Sequence, residues 1–242
     1  MIVNYTESGW EIITQRSHGL LAAQICAHWK KNDQPERWVD TLIATAEHDD
    51  VYNEFENEDL LNPSGGPVNF KTTSFKKEYA DRLIAMAETK SAYIALLISR
   101  HIQFVHGTDP KAASFITALR EREKKWINVA QSSKEEVRRG YELLEFCDAF
   151  SLLICQQQIQ PEQRKIEISN GPDGTAYEMH AVDKGLQVNP WPFEETSFVV
   201  SYESRILPQL TFKDTKEFRT MISEVAVETR YLRLTGILGE RT

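Results

Sequence analysis

Two imidazoles and two carboxylates in this chain have the types and the spacing to hold a divalent cation. His18 precedes the pair His48-Asp49 by thirty residues, and Asp148 follows far downstream. Each interrupts an apolar pattern. His18 opens one helical run, His48 and Asp49 close another (Trp38, Val39, Leu42, Ile43, Ala46), and Asp148 sits inside Phe146-Cys147-Asp148-Ala149-Phe150. A carboxylate among such neighbours is costly to bury, by roughly several kcal/mol, unless it is paired or binds a cation. Adjacent helical residues point about 100° apart, so His48 and Asp49 can share a ligand only near a helix end. One ion would satisfy all four residues. A mixed nitrogen and oxygen set suits Mn, Fe, Co, Ni or Mg better than structural zinc, and leaves positions open for water or a phosphate oxygen.

The elements that must position these residues are mostly helical. Residues 2–5 and 10–14 flank the turn signal Glu7-Ser8-Gly9 and predict an N-terminal hairpin. A helix follows from near Ser17 to Trp29, and Asp33 with Pro35 marks the next helix start. Residues 50–73, rich in Asn, Glu, Gly and Pro, read as a long loop, and a loop of that length predicts a lid or pocket wall beside the His-Asp pair. Helix resumes near Ser74. Residues 93–105 are apolar nearly all round and predict a buried central helix. Asp109-Pro110 starts another, and Ser133-Lys134-Glu135-Glu136 has capping-box spacing ahead of the helix that carries Asp148. After Pro161 the texture becomes strand-like at 164–169, 186–189, 197–202 and near 226–234, with Asn170-Gly171-Pro172-Asp173-Gly174 as a turn and a helical turn at 215–221.

Composition narrows the class. The chain has 242 residues, 41% hydrophobic and 26% charged, with a net charge of −8, so no nucleic-acid-binding surface is expected. A locally basic pocket for a small anion stays compatible with that charge. Cys26, Cys147 and Cys155 lie in apolar runs without Cys-x-x-Cys spacing and read as reduced core residues of a cytoplasmic protein. No signal peptide or membrane span is expected.

His18, the thirty-residue gap, His48-Asp49 and the distant Asp148 together resemble the HD-domain metal-dependent phosphohydrolase superfamily over roughly residues 17–155. The whole chain also resembles an uncharacterised bacterial family within that group, through Gln15-Arg16-Ser17-His18, Gly66-Pro67-Val68-Asn69-Phe70 and the stretch from Tyr93 to His101. The resemblance implies metal ligation by His18, His48, Asp49 and Asp148, with a metal-activated water attacking a phosphoester. His101 falls where some members carry a ligand to a second ion, with Asp49 bridging the two. The lysine that often follows the His-Asp pair is missing; Asp50-Val51-Tyr52 stands there, and Arg16, Arg100, Lys71 and Lys76 are the nearest cations in sequence. Bland alternatives are ion pairs to Glu for Arg16 and Arg100, and Arg138 or Arg139 as a partner for Asp148. Glu47 and Asp50 read as solvated or as supports behind the ligands rather than as ligands, and His28 and His180 as surface residues.

The expected fold is mainly α, an HD-domain-like helical bundle, with a small antiparallel β-sheet from the C-terminal region that the N-terminal hairpin is a candidate to join. The expected division is a helical metal-binding domain over 1–160 and a small β-rich subdomain over 161–242, with 1–16 assigned to the sheet. The expected activity is hydrolysis of a small phosphorylated molecule with one or two divalent ions as cofactor, Asp49, Arg16 and Arg100 being the catalytic candidates. An HD-type di-iron oxygenase and a non-catalytic metal- or nucleotide-binding sensor or scaffold are the alternatives. No nucleic-acid or membrane partner is expected, and self-association stays open.

Overall fold

The first helix begins where Thr14 turns its hydroxyl to the backbone N–H of Ser17, at 3.1 Å, and so satisfies one of the free donors of the first turn. A computed structural model describes residues 1–183 and 185–236 of the chain. Its helices are α1 (Gln15–Ala27), α2 (Trp38–Glu47), α3 (Lys77–Glu88), α4 (Ala92–His106), α5 (Ala113–Ala130), α6 (Lys134–Cys155) and α7 (Thr215–Glu224). Its strands are β1 (Ile2–Thr6), β2 (Gly9–Ile13), β3 (Ile166–Asn170), β4 (Ala176–Val182), β5 (Gly185–Asn189), β6 (Ser197–Leu207) and β7 (Val227–Thr235). Ser91 caps α4 through the N–H groups of Tyr93 and Ile94, and Ser133 with Glu136 forms the expected capping box on α6. The second helix starts at Trp38, later than Asp33-Pro35 implied, because Lys31–Asp33 form a separate 3-10 turn.

The expectation of a mainly α helical bundle is corrected. Among the described residues, 46% are helical and 22% strand, and the seven strands form a curled half-barrel. The strand order is β1-β2-β6-β7-β5-β4-β3, with the N-terminal hairpin joined through β2 to β6. Nor is the sheet purely antiparallel, since β5 runs parallel to β7. The physical reason is that sheet and helices share one core. Leu21, Ile25, Phe146 and Phe150 from α1 and α6 pack with Ile13, Tyr177, Val188, Val200 and Leu234 from five strands, so the sheet is half of the main core. Burying large side chains of this kind contributes about 1.5–3 kcal/mol each.

The helix α1 also lies along β6. Beyond its pairing with β2, the free edge of β6 is met by two polar side chains of α1. Gln24 donates to the carbonyl of Ser201 at 2.8 Å and accepts from its N–H at 3.0 Å; the hydroxyl of Ser17 lies 3.2 Å from the carbonyl of Glu203 and accepts from its N–H at 3.0 Å. These contacts cover an edge that would otherwise present unpaired backbone groups.

A second core lies among α3, α4, α5 and part of α6, and contains Tyr93 through Ile98 and Ile102 of the nearly all-buried α4. Gly140 of α6 is required there, because the Tyr93 hydroxyl stands where a Cβ would be. A third cluster joins Ile12, Leu60, Leu207, Phe212, Phe218 and Ile222 beneath α7. Residues 50–73 are not a bare loop. Val51, Glu54 and Leu60 are buried, Leu61 bridges to Pro67, and the N–H of Phe212 donates to the carbonyl of Gly65 at 2.8 Å. Among the described residues, no helix is long and apolar enough to cross a membrane. Cys26, Cys147 and Cys155 are free and buried.

Candidate metal centre

Four helices deliver the site. Gln15 and His18 stand on the first turn of α1, three residues apart and on one face. His48 follows α2 directly, and the helical turn continues past it, with the N–H of Asp50 on the carbonyl of Glu47 and that of Tyr52 on the carbonyl of Asp49. His48 is thereby turned fully inward, while Asp49 keeps 17% of its side chain exposed. His101 comes from buried α4; Asp148 and Ser151 share a face of α6. Gly19 makes the approach of α1 to α2 feasible. A Cβ on it would lie 2.7 Å from the carbonyl oxygen of Ala46 and 3.9 Å from Cε1 of His48.

The five candidate ligands converge. Nε2 of His18 lies 3.2 Å from Nε2 of His48 and 3.0 Å from Oδ1 of Asp148. Nε2 of His48 is 3.3 Å from the same Oδ1 and 3.8 Å from Oδ2 of Asp49. Nε2 of His101 is 4.0 Å from Oδ1 of Asp49. Ligand atoms of His18, His48 and Asp49 lie within 4.8 Å of one another, and so do those of His48, His101 and Asp148.

The far sides of the two closest rings settle which nitrogen faces the centre. Nδ1 of His48 lies 2.8 Å from the carbonyl oxygen of Thr45, which can only accept, so Nδ1 carries the proton. Ser151 donates its hydroxyl to the carbonyl of Asp148 at 2.9 Å, leaving its oxygen to accept from Nδ1 of His18 at 2.8 Å. In the neutral rings both Nε2 atoms therefore carry lone pairs, aimed at each other and at a carboxylate oxygen. Three acceptors meeting at 3.0–3.3 Å repel unless a cation or a proton stands among them. The donor set fits a divalent ion, with each imidazole oriented through its other nitrogen as metal-binding histidines commonly are.

Electrostatics point the same way. Burial by itself would lower the pKa of His48, but the carboxylates of Asp148 and Asp49 outweigh it and raise the value to about 9. Burial opposes ionisation of Asp148 too, yet the charge of His48 and the hydrogen bonds from His18 and His48 hold it well below the usual carboxylate range. His101 is driven the other way, to about 4, by burial and then by the charge of His48. The site draws positive charge to one position and excludes it from the next.

Of the remaining sequence candidates, Arg16 and Arg100 are not brought to this cluster. Arg16 donates through Nη2 to the carbonyl of Asp50 at 2.6 Å and braces the turn behind the ligands. Arg100 pairs with the buried Glu123 at 2.9 Å. Arg138, a possible partner for Asp148 on sequence, is held by Glu135 and Glu142 instead. His28 stacks on Phe198 with ring centroids 3.8 Å apart and contacts Glu195, and His180 has a buried Nδ1, so neither is a bare surface residue.

Several supporting residues were not singled out from sequence. Gln15 donates Nε2 to Oδ2 of Asp49 at 2.7 Å, and its backbone N–H donates to Oε1 of Glu54 at 3.0 Å. Ser151 was detectable in principle, as a second polar residue one turn after Asp148 in an apolar helix. Among the described residues, the buried polar atoms without partners include Oε1 of Gln15, Nδ1 of His101 and the hydroxyl of Tyr141, all on residues in or beside this centre.

Fold and site together define a mixed α/β protein with a buried His/Asp cluster suited to a metal ion. The chain matches the family described as "Protein of unknown function (DUF3891)" over residues 1–209, and belongs to it. The match runs from β1 through the end of β6, so every residue of the centre falls within it. No curated protein and no solved structure gives a significant match.

Proposed function

We propose that the protein is a metal-dependent hydrolase of small phosphoesters, with His18, His48, Asp49 and Asp148 holding the ion and His101 available to a second. The observation that carries this reading is the meeting of three buried acceptor atoms, Nε2 of His18, Nε2 of His48 and Oδ1 of Asp148, at separations of 3.0–3.3 Å. The likeness to HD phosphohydrolases is retained for the ligand set alone and not for the fold. A divalent ion supplies a water of lowered pKa and a Lewis acid for the phosphoryl oxygen. Hydrolysis forms a bond from the water oxygen to phosphorus, breaks the ester P–O bond and leaves the alcohol to take up a proton. Asp49 is the ligand most open to solvent, and Gln15 fixes its Oδ2, so its carboxylate is suited to receive the proton the water loses. Arg16 and Arg100 support the scaffold in this reading and are dropped as catalytic groups.

The test is turnover of a phosphomonoester panel by purified protein loaded in turn with Mn, Co, Ni, Fe or Mg. The reading requires activity that a chelator removes, that added metal restores, and that His48→Ala abolishes. Chelator-resistant activity, or none with any ion in a metal-loaded protein, would count against it. A second reading, oxidative chemistry at a two-iron centre, draws on the position of His101, whose Nε2 is 4.0 Å from Oδ1 of Asp49. It requires iron-dependent consumption of oxygen that is lost in His101→Ala.

A further inference from the structure

A narrow cleft opens beside the centre, lined by Asp49 and His101 together with Tyr52, Lys76, Tyr79 and His106 among others. Its volume is about 30 Å³, room for one or two water molecules and too little for a phosphoryl group. Among the described residues, Lys76 is the only lysine or arginine lining it. The ammonium lies 5.2 Å from the ring centroid of Tyr79, and it is paired with Asp59, a residue of the 50–73 segment. Both partners are open to solvent, Asp59 at 71% of its side chain, and an exposed pair of this kind is weak and readily exchanged. The ring of Tyr52, which also lines the cleft, packs edge-on against Tyr79 at 5.6 Å, so the same segment supplies part of the wall as well as the partner of Lys76.

His48-Asp49 is followed by Asp50-Val51-Tyr52, with no lysine among them. In space, Lys76 at the start of α3 lines the same cleft as Asp49 and His101. We propose that Lys76 receives a phosphoryl oxygen of the substrate, and that the Asp59 carboxylate occupies Lys76 until a phosphate dianion displaces it. This rests on the phosphohydrolase reading above and names the substrate class as a phosphomonoester with two free anionic oxygens. A phosphate near neutral pH carries about −1.5 to −2 charges against one for a carboxylate, so the exchange favours the ligand. Release of Asp59 removes the ion pair that ties the 50–73 segment to Lys76 and frees the ammonium for the phosphoryl group, whose entry requires the cleft to widen. Val51 and Leu60 remain buried and keep the segment anchored.

The test is titration of the metal-loaded full-length chain with inorganic phosphate by calorimetry, for wild type, Lys76→Gln, Lys76→Arg and Asp59→Asn. Metal content and thermal melting are recorded for each. Lys76→Gln is expected to weaken phosphate binding about tenfold or more with metal content unchanged, and Lys76→Arg to recover most of it. Asp59→Asn is expected to tighten phosphate several-fold, since the competing carboxylate is gone. Metal-loaded wild type that binds no phosphate, Lys76→Gln that binds it as wild type does, or Asp59→Asn without tightening would each overturn the proposal. A wild type that takes up no metal would instead remove the hydrolase reading beneath it.

Discussion

His18 and His48, thirty residues apart on α1 and the end of α2, bring their Nε2 atoms within 3.2 Å of each other, with both Nδ1 atoms already engaged. Two neutral imidazoles gain nothing from that approach. What accounts for it is a shared positive partner, either the proton that His48 holds up to about pH 9 or a cation that replaces it. Asp148 completes the triangle from the long helix α6, and the backbone of α1 is brought close enough by a glycine.

Gly19→Ala tests that close approach. The added Cβ would meet the Ala46 carbonyl at 2.7 Å and force α1 away from α2. A loss of about 1–3 kcal/mol of stability is expected from such overpacking, together with weaker metal binding. Thermal melts and a metal titration measure both. Unchanged metal affinity would mean that the helix spacing does not set the ligand geometry.

Ser151→Ala removes the acceptor for Nδ1 of His18 without touching a ligand atom. Loss of such an orienting partner is expected to weaken metal binding about 10–100-fold. Equilibrium titration against a competing chelator reads this directly. The ion should still bind, which separates this variant from loss of His18 itself.

Metal affinity should depend on pH in a defined direction. In the metal-free protein His48 titrates at about 9, so at neutral pH an incoming ion must displace its proton. Affinity is therefore expected to rise about tenfold per pH unit from neutrality toward 9, and proton release on binding should fall away above that value. Potentiometric or calorimetric titration in buffers of differing ionisation heat checks it.

The stability of the metal-free protein has two opposing limbs. The folded pKa of His48 is raised from 6.5 to about 9, so its contribution is full below 6.5 and is lost as pH rises through 9. That of His101 is depressed from 6.5 to about 4, so its contribution is full above 6.5 and is lost as pH falls toward 4. Asp148, also depressed, loses its contribution as pH falls below the ordinary carboxylate range. Melting temperature without metal should therefore peak between these limbs, near about pH 6.5. Bound metal should hold up the alkaline side, where His48 would otherwise give up its proton.

The residues of the candidate centre could be picked out from sequence because each broke an apolar pattern, and the structure brings them together. The helices were readable for the same cause, with Ser133-Glu136 marking the start of α6 by its capping chemistry. The sheet was not. In β7 only Leu234 is buried, so the strand shows no alternation; its pairing partners β6 and β5 are distant in sequence or parallel. From sequence the hairpin is a candidate to join the sheet; its register against Arg205–Leu207 is a long-range relation that local periodicity does not encode. The reach of Lys76 to the cleft depends on how α3 packs on α4, and Arg16 and Arg100 looked catalytic only because they adjoin Ser17-His18 and His101 in sequence.

Elemental analysis of the purified chain, beside His48→Ala and Asp148→Asn variants that keep wild-type circular dichroism, tests the metal centre most directly. The account predicts about one or two divalent transition-metal ions per wild-type chain, retained through gel filtration, and a large loss in both variants. Wild-type protein that carries no ion and takes none up on titration, or variants that retain as much as wild type, would contradict it.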